Sequence, residues 1–347
     1  MDWVRGETIG HGSFGKVSLA VPARESGAAA VLPAMVVKSC VAARADSLLN
    51  ERMVLEELQG CPEIIRCFGG GYSVEKGERL YNVVLEFASQ GSLADRVKNS
   101  GDRRLSEFEI RRYAKGLVRG INYVHKSGFV HCDIKLENIL LGDDGGVRIA
   151  DFGLAKRDGD GEGVRNLGCE IRGTPMYMSP EMVAGGEQGT AADIWALGCA
   201  VAEMVTGAPA WKCSDAAGLL MRIGVGEEVP EIPGKLSEEG KDFLGKCFVK
   251  DPRTRWTAEM LLSHPFVADH DDDDEISSPS FSPRCPFDFQ DWVSEPELLE
   301  SCLTILPSPE PEFSRFKSPA AERLRGLISD DPLPIWSENG DGWISVR

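Results

Sequence analysis

The chain has 347 residues, 42% of them hydrophobic, and a formal net charge of −17. Its length and apolar content support a sizeable core spread over more than one domain or lobe, and the acid excess argues against nucleic acid as a partner, because backbone phosphates would be repelled. Ten cysteines are scattered with no Cys-x-x-Cys pair, no apolar run follows Met1, and no stretch reaches the ~18 apolar residues that span a bilayer. This pattern argues against a disulfide framework, a zinc site and a membrane span, and it places the chain in a reducing, cytoplasmic or nuclear compartment.

The first element is a pair of alternating apolar segments around Ile9-Gly10-His11-Gly12-Ser13-Phe14-Gly15-Lys16-Val17. Glycines let a backbone approach phosphates without Cβ clashes. Alone, a Gly-x-Gly-x-x-Gly fits a dinucleotide turn or a plain hairpin as well. A dinucleotide turn opens a helix, whereas Val17 and Leu19 alternate as in a strand, which favours a glycine-rich hairpin over nucleotide phosphates. Residues 34–39 read as a strand carrying Lys38. A lone lysine at a strand end is ordinarily a surface residue, so its role depends on partners. A helix is expected from Asp46 to about Gln59, capped by Asp46 and ended by Gly60. Leu48, Glu51, Leu55 and Leu58 fall on one face, and a glutamate inside an apolar stripe requires a charged partner. Glu56 and Glu57 lie off that face.

Residues 80–88 read as the next strand. Ser106-x-x-Glu109 is a capping box that opens a long helix with Ile110, Tyr113, Ala114, Leu117, Ile121 and Val124 as its buried face and Gly128 as its end. It delivers His131-Cys132-Asp133-Ile134-Lys135-Leu136-Glu137-Asn138, and Asp151-Phe152-Gly153 begins 13 residues after Asn138. The apolar runs Ile139-Leu140-Leu141 and 147–150 read as a small hairpin across the turn at 142–146. Such a hairpin brings Asp133, Lys135, Asn138 and Asp151 to one cleft. Acidic and amide oxygens beside an ammonium suit Mg²⁺ and a transferring phosphate, because Mg²⁺ takes hard oxygen ligands and keeps waters of its own.

At these residues the chain resembles the eukaryotic protein kinase family, whose pattern is His-Arg-Asp-x-Lys-x-x-Asn followed by Asp-Phe-Gly. The resemblance covers residues 3–267, with the motifs in kinase order. It implies an α+β, two-lobed protein kinase fold: a small, mainly antiparallel β lobe with one helix (3–85), a hinge (86–89) and a large, mainly helical lobe (90–267). It implies ATP and Mg²⁺ as cofactors. ATP is expected to meet Ile9, Gly10, His11, Gly12, Ser13, Phe14, Gly15, Val17, Val36, Lys38, Leu85, Glu86, Ala88 and Leu140. Leu85 is the gatekeeper, and the backbone of Glu86 and Ala88 faces adenine. Val36 stands where the family pattern Val-Ala-Ile-Lys has alanine, which adds bulk at the adenine roof. Glu51 is assigned to Lys38, Asp133 accepts the substrate proton, Lys135 steadies the γ-phosphate, and Asn138 and Asp151 hold Mg²⁺. His131 is expected to be a hydrogen-bonded core histidine that shapes the loop rather than a base, with Phe152 and Gly153 structural as well.

A 31-residue segment from Asp151 to Glu181 ends Gly173-Thr174-Pro175-Met176-Tyr177-Met178-Ser179-Pro180-Glu181. It resembles an activation segment with Ser-Pro-Glu for the family's Ala-Pro-Glu. Lys135 together with Gly173-Thr174 is the serine/threonine form, and Thr174 is expected to bridge Asp133 and Lys135. Asp193 opens the buried central helix of the large lobe. Arg255, in Asp251-Pro252-x-x-Arg255, is the expected partner of Glu181, and His264-Pro265-Phe266 closes the domain. Two departures stand together. Cys132 replaces the arginine that pairs with a phosphorylated loop in many kinases, and no Ser, Thr or Tyr lies between Gly153 and Thr174. Phosphorylation of this loop is therefore expected to be dispensable, with Asp158, Asp160, Glu162 and Glu170 supplying fixed negative charge.

Met1-Asp2-Trp3 runs almost directly into the glycine loop, which argues against an N-terminal regulatory domain. That start, residues 61–69, the His-Cys-Asp loop and the closing Trp343-Ile344-Ser345-Val346-Arg347 resemble the short plant MEKK-like MAP kinase kinase kinases. The expected substrate is a MAP kinase kinase, in a stress or hormone cascade. Residues 268–347 hold 18 Asp and Glu against 6 Lys and Arg, so −12 of the net charge lies there. With its prolines and low hydrophobicity this tail reads as disordered. Its Ser-Pro pairs at Ser278, Ser282, Ser308 and Ser318 suit a proline-directed kinase and an opposing phosphatase. The alternative functions are a pseudokinase scaffold, which should lack Lys38, Asp133 or Asp151, and an adaptor acting mainly through its tail with weak kinase activity.

Overall fold

The computed structural model describes residues 3–12, 15–22, 34–159, 173–185, 188–213 and 215–268. Ser13 and Phe14, the loop acids Asp160, Glu162 and Glu170, and the tail with Ser278, Ser282, Ser308 and Ser318 lie outside the described residues.

The small lobe is a five-stranded antiparallel sheet made from β1 (Trp3–Gly12), β2 (Gly15–Pro22), β3 (Met35–Val41), β4 (Cys67–Glu75) and β5 (Glu78–Glu86), in the order β1-β2-β3-β5-β4. Strands β1 and β2 form a hairpin closed by Gly12 opposite Gly15. Gly15 is fixed by space, because a Cβ there would collide with the Ser39 carbonyl oxygen of β3. Strand β3 is buried from Met35 to Ser39, so it forms as a continuous apolar run that carries Lys38 through the middle of the sheet. Helix α1 (Asp46–Glu57) packs on the sheet through Leu48, Val54 and Leu55. Asp46 is not its cap. Ala45 holds that place without a side-chain cap, and Asp46 sits in the first turn, where a carboxylate complements the helix dipole.

Beyond β5 the chain turns at residues 87–91 into α2 (Leu93–Asn99), which opens on a capping box between Ser92 and Asp95. Helix α3 (Glu107–Lys126) starts on the expected Ser106–Glu109 capping box and buries all six residues named for its inner face. After it come β6 (Phe129–Val130), the hairpin β7 (Ile139–Leu141) with β8 (Val147–Ile149), and β9 (Lys156–Arg157), which pairs back onto β6. Then follow α4 (Pro180–Val183), α5 (Thr190–Thr206), α6 (Ala216–Gly224), α7 (Glu238–Cys247) and α8 (Ala258–Leu262). Helix α5 is buried almost all round, as its sequence requires, with Trp195 fully inaccessible. Phe266 packs against Phe243 at 5.2 Å and closes the core. No helix among the described residues is long and apolar enough to cross a membrane.

Candidate active site

Lys38 lies where β3, α1 and the segment after β8 meet. Its Nζ donates to Glu51 at 2.6 Å and to Asp151 at 2.9 Å. Glu56 and Glu57, off the apolar face, bond Arg52 and Arg157 instead. Burial alone would lower the Lys38 ammonium, but the two carboxylates outweigh it and hold the group above its ordinary value. Burial pushes the Glu51 carboxyl up against the pull of Lys38. Asp151 is half-buried, which raises it, yet Lys38, His131 and Lys135 together hold it below the ordinary aspartate value.

The loop between β6 and β7 gathers the second group. Lys135 Nζ donates to Asp133 Oδ2 at 2.6 Å and to Thr174 Oγ1 at 3.0 Å, and Thr174 donates to Asp133 Oδ1 at 3.0 Å. Asn138 donates to both the carbonyl and Oδ2 of Asp133, each at 2.9 Å. The β7–β8 hairpin joins the two groups, because the Ala150 amide donates to the Asn138 carbonyl one residue before Asp151. All of Lys38, Glu51, Asp133, Lys135, Asn138, Asp151 and Thr174 are therefore brought to one cleft. Several of the other expected nucleotide contacts lie on the strands nearby. Val36 and Leu85 face each other in register on β3 and β5, both buried, and Val17 sits opposite Lys38 on β2. Leu140 is half-buried on β7, and Ile9 is exposed on β1. Strand β5 ends at Glu86, so Ala88 is past the strand, in the turn that leads to α2.

Four described residues hold left-handed backbone without being glycine, and two of them stand in the site: Cys132 (φ 69°) and Asp151 (φ 65°). Such a conformation costs of order 1–3 kcal/mol and persists only when its surroundings impose it. At Cys132 the imposing group is Asp193 of α5. Its carboxylate accepts from the His131 and Cys132 amides at 2.9 and 3.0 Å and from His125 at 2.9 Å. Asp193 is fully buried, and although burial raises it, these partners hold it below the ordinary value. His131 lies in the core as expected. Its Nδ1 accepts from the Asp133 amide, its Nε2 meets the Ala150 carbonyl at 3.1 Å, and its ring packs edge-on against Phe152 at 4.6 Å. Arg255 forks onto Glu181 at 2.7 and 2.9 Å.

Little in the sequence marks the residues that hold this geometry from outside. Asn50 of α1 directs its amide nitrogen at the carbonyls of Phe152, Gly153 and Ala155, at 3.3, 3.3 and 2.8 Å. Beside it, Ser47 leaves no room for a side chain at Gly153. An asparagine inside a helix, where it competes with the backbone, was the one available signal. Gln188 donates to the Cys132 carbonyl at 3.1 Å, and Tyr177 donates to Glu203, the one charge in the otherwise apolar run of α5.

A family model described as protein kinase domain matches residues 3–267. The chain belongs to the protein kinase family. Mitogen-activated protein kinase kinase kinase 20 of Arabidopsis thaliana is 50% identical over 365 residues, covering 100% of both chains. Mitogen-activated protein kinase kinase kinase 18 of the same plant is 35% identical over 100% of this chain and 99% of its own. A mouse relative, mitogen-activated protein kinase kinase kinase 3, is 33% identical over 77% of this chain and 42% of its own. With these relatives and Lys135 and Thr174 in place, the kinase is a serine/threonine kinase of a MAP kinase cascade, of the plant MEKK-like kind.

Protein kinases use ATP and Mg²⁺, and the donor set of this kinase suits that ion. Asn138 turns its amide N–H groups toward Asp133, which leaves its Oδ1 as an oxygen donor, and Asp151 meets Lys38 through Oδ1, which leaves Oδ2. Two hard oxygens suffice for an ion that completes its shell with phosphate oxygens and water.

Proposed function

We propose that this kinase transfers the γ-phosphate of ATP to serine or threonine hydroxyls of a MAP kinase kinase. The observation that carries the reading is the simultaneous presence of the Lys38–Glu51–Asp151 cluster and the Asp133–Lys135–Thr174 cluster in one cleft. Lys38, held charged by its two carboxylates, receives the α- and β-phosphates. Asp133 orients the substrate hydroxyl and accepts its proton, and Lys135 steadies the γ-phosphate. Asn138 and Asp151 would hold Mg²⁺, which would supply charge neutralisation for the phosphates. Thr174 fixes Asp133 and Lys135 relative to each other. Catalysis of this kind is positioning and charge neutralisation rather than covalent chemistry. The names of the full-length relatives support the substrate class.

Loop phosphorylation is not required in this reading. The receiving arginine and the acceptor hydroxyls are both missing, as Cys132 and the hydroxyl-free stretch from Leu154 to Gly173 make plain. Asp193 and Gln188 instead hold the Cys132 backbone. In this reading the kinase acts in the cytoplasm or nucleus, in a stress or hormone cascade. The test is ³²P transfer from ATP·Mg²⁺ to a catalytically dead MAP kinase kinase by phosphatase-treated protein, with Lys38→Met as control. Transfer lost only in the control supports both parts. Transfer that appears only after Thr174 is phosphorylated would refute the second part and leave the first.

A further inference from the structure

Past its acidic first turn, the outer face of α3 is basic. Arg112, Lys115 and Arg119 stand three and four residues apart and so share one face, with Arg111 at its edge. Arg112 and Arg119 are exposed and Lys115 is half-buried. Burial and the adjacent Arg119 hold the Lys115 ammonium below its ordinary value, the mark of crowded cations. The described chain ends beside this face. Glu259, near the start of α8, pairs with Lys126 at 2.7 Å, whereas Phe266, past the end of α8, lies under the Arg111 guanidinium at 4.8 Å. The chain thus runs back along α3 and leaves at Ala268, whose amide is tied to the His264 carbonyl. The next residues are Asp269-His270-Asp271-Asp272-Asp273-Asp274, five carboxylates in six positions.

We propose that this acidic segment docks along the face of α3 formed by Arg112, Lys115 and Arg119, within the same molecule. Reach and charge both permit it. Six residues extend to about 20 Å, and the seven helical steps from Arg112 to Arg119 rise about 10 Å, so the segment can turn at Ala268 and still cover the face. Exposed ion pairs are individually weak, but a short tether supplies a high effective concentration, and five carboxylates act on the same three cations. The inference goes beyond the catalytic reading and holds whatever the substrate is.

The experiment is zero-length carbodiimide coupling on the full-length protein, which joins the Lys115 amine to a neighbouring carboxylate, followed by peptide mass spectrometry. At 0.1 M salt Lys115 is expected to couple to the Asp269–Asp274 peptide. The yield should drop about tenfold at 1 M, as the screening length falls from about 10 Å to about 3 Å. In an equal mixture of ¹⁴N- and ¹⁵N-labelled protein the coupled peptides should carry one isotope only. The double variant Arg112→Glu, Arg119→Glu should lose the product. The proposal is overturned by no coupling in the wild type at 0.1 M salt, or by coupling indifferent to salt. Mixed-isotope pairs would overturn it in favour of a second copy. Coupling of Lys115 to an added poly-aspartate peptide but not to its own chain would overturn it in favour of a separate acidic partner.

Discussion

Asn50→Ala removes one amide nitrogen that holds α1 to the turn after Asp151. That nitrogen carries two protons and faces three carbonyls, so the 2.8 Å contact to Ala155 takes one proton and the two 3.3 Å contacts to Phe152 and Gly153 share the other. At about 0.5–1.5 kcal/mol for each bond, the loss comes to about 1–3 kcal/mol. The bonds exist only when α1 and residues 152–155 are docked, so the whole cost falls on the docked arrangement. At 1.4 kcal/mol per tenfold, the ratio of docked to undocked molecules falls about 5- to 150-fold. Because Lys38 meets Glu51 of α1 and Asp151 of that turn together, undocking separates the three charges of the proposed ATP site. Hydrogen exchange should therefore quicken in α1 and in residues 152–155, while α5 and α7 keep their protection, and kcat/KM for ATP should fall. Asn50→Asp, which offers only acceptors to three carbonyls, should be worse than alanine. Unchanged exchange in α1 with unchanged kcat/KM in Asn50→Ala would refute the reasoning.

Lys38→Met and Asp133→Asn should each reduce phosphoryl transfer at least ~10³-fold, since both act on positioning and charge, with thermal unfolding little changed. Wild-type-like turnover by Asp133→Asn would remove it from the site. Arg255→Ala breaks a buried fork onto Glu181 and leaves a carboxylate without its partner, at a cost of about 3–5 kcal/mol. A melting temperature lower by at least ~6 °C is expected, and a shift within error would refute the assignment. The Asp193 carboxyl lies below its ordinary value of 3.8 in the folded chain. A depressed acid stabilises the fold above its unfolded value and loses that contribution as pH falls through the folded value. Stability should thus drop steeply below pH 4, and the drop should be shallower in Asp193→Asn; identical acid slopes would contradict this. Gly153→Ala should destabilise through collision with Ser47, and adding Ser47→Gly should restore part of the loss, a non-additivity measurable in a double-mutant cycle.

The chemistry-bearing residues were legible because their types are constrained by what they touch. Phosphates and a hard cation require ammonium, carboxylate and amide groups, and these sat at fixed spacings in the loop 131–138 and at Asp151. Capping boxes and apolar stripes placed α3 and α5, since both signals are local. That Glu51 needs a charged partner was legible for a similar reason, as a charge sits inside an apolar stripe, and the resemblance to protein kinases named Lys38 as that partner. Bounds were less legible, and Ala45 rather than Asp46 caps α1, because packing against the sheet fixes where that helix starts. Only the tertiary structure decided how the site is held. Asn50, Gln188 and the carboxylate of Asp193 act on backbone groups many residues away, and His125 holds that carboxylate. A hydrogen bond to a distant carbonyl leaves no periodicity in the sequence, because the partner is a main-chain atom that every residue carries. The left-handed turns at Cys132 and Asp151 were hidden for the same reason: neither residue prefers that backbone, and the surroundings impose it.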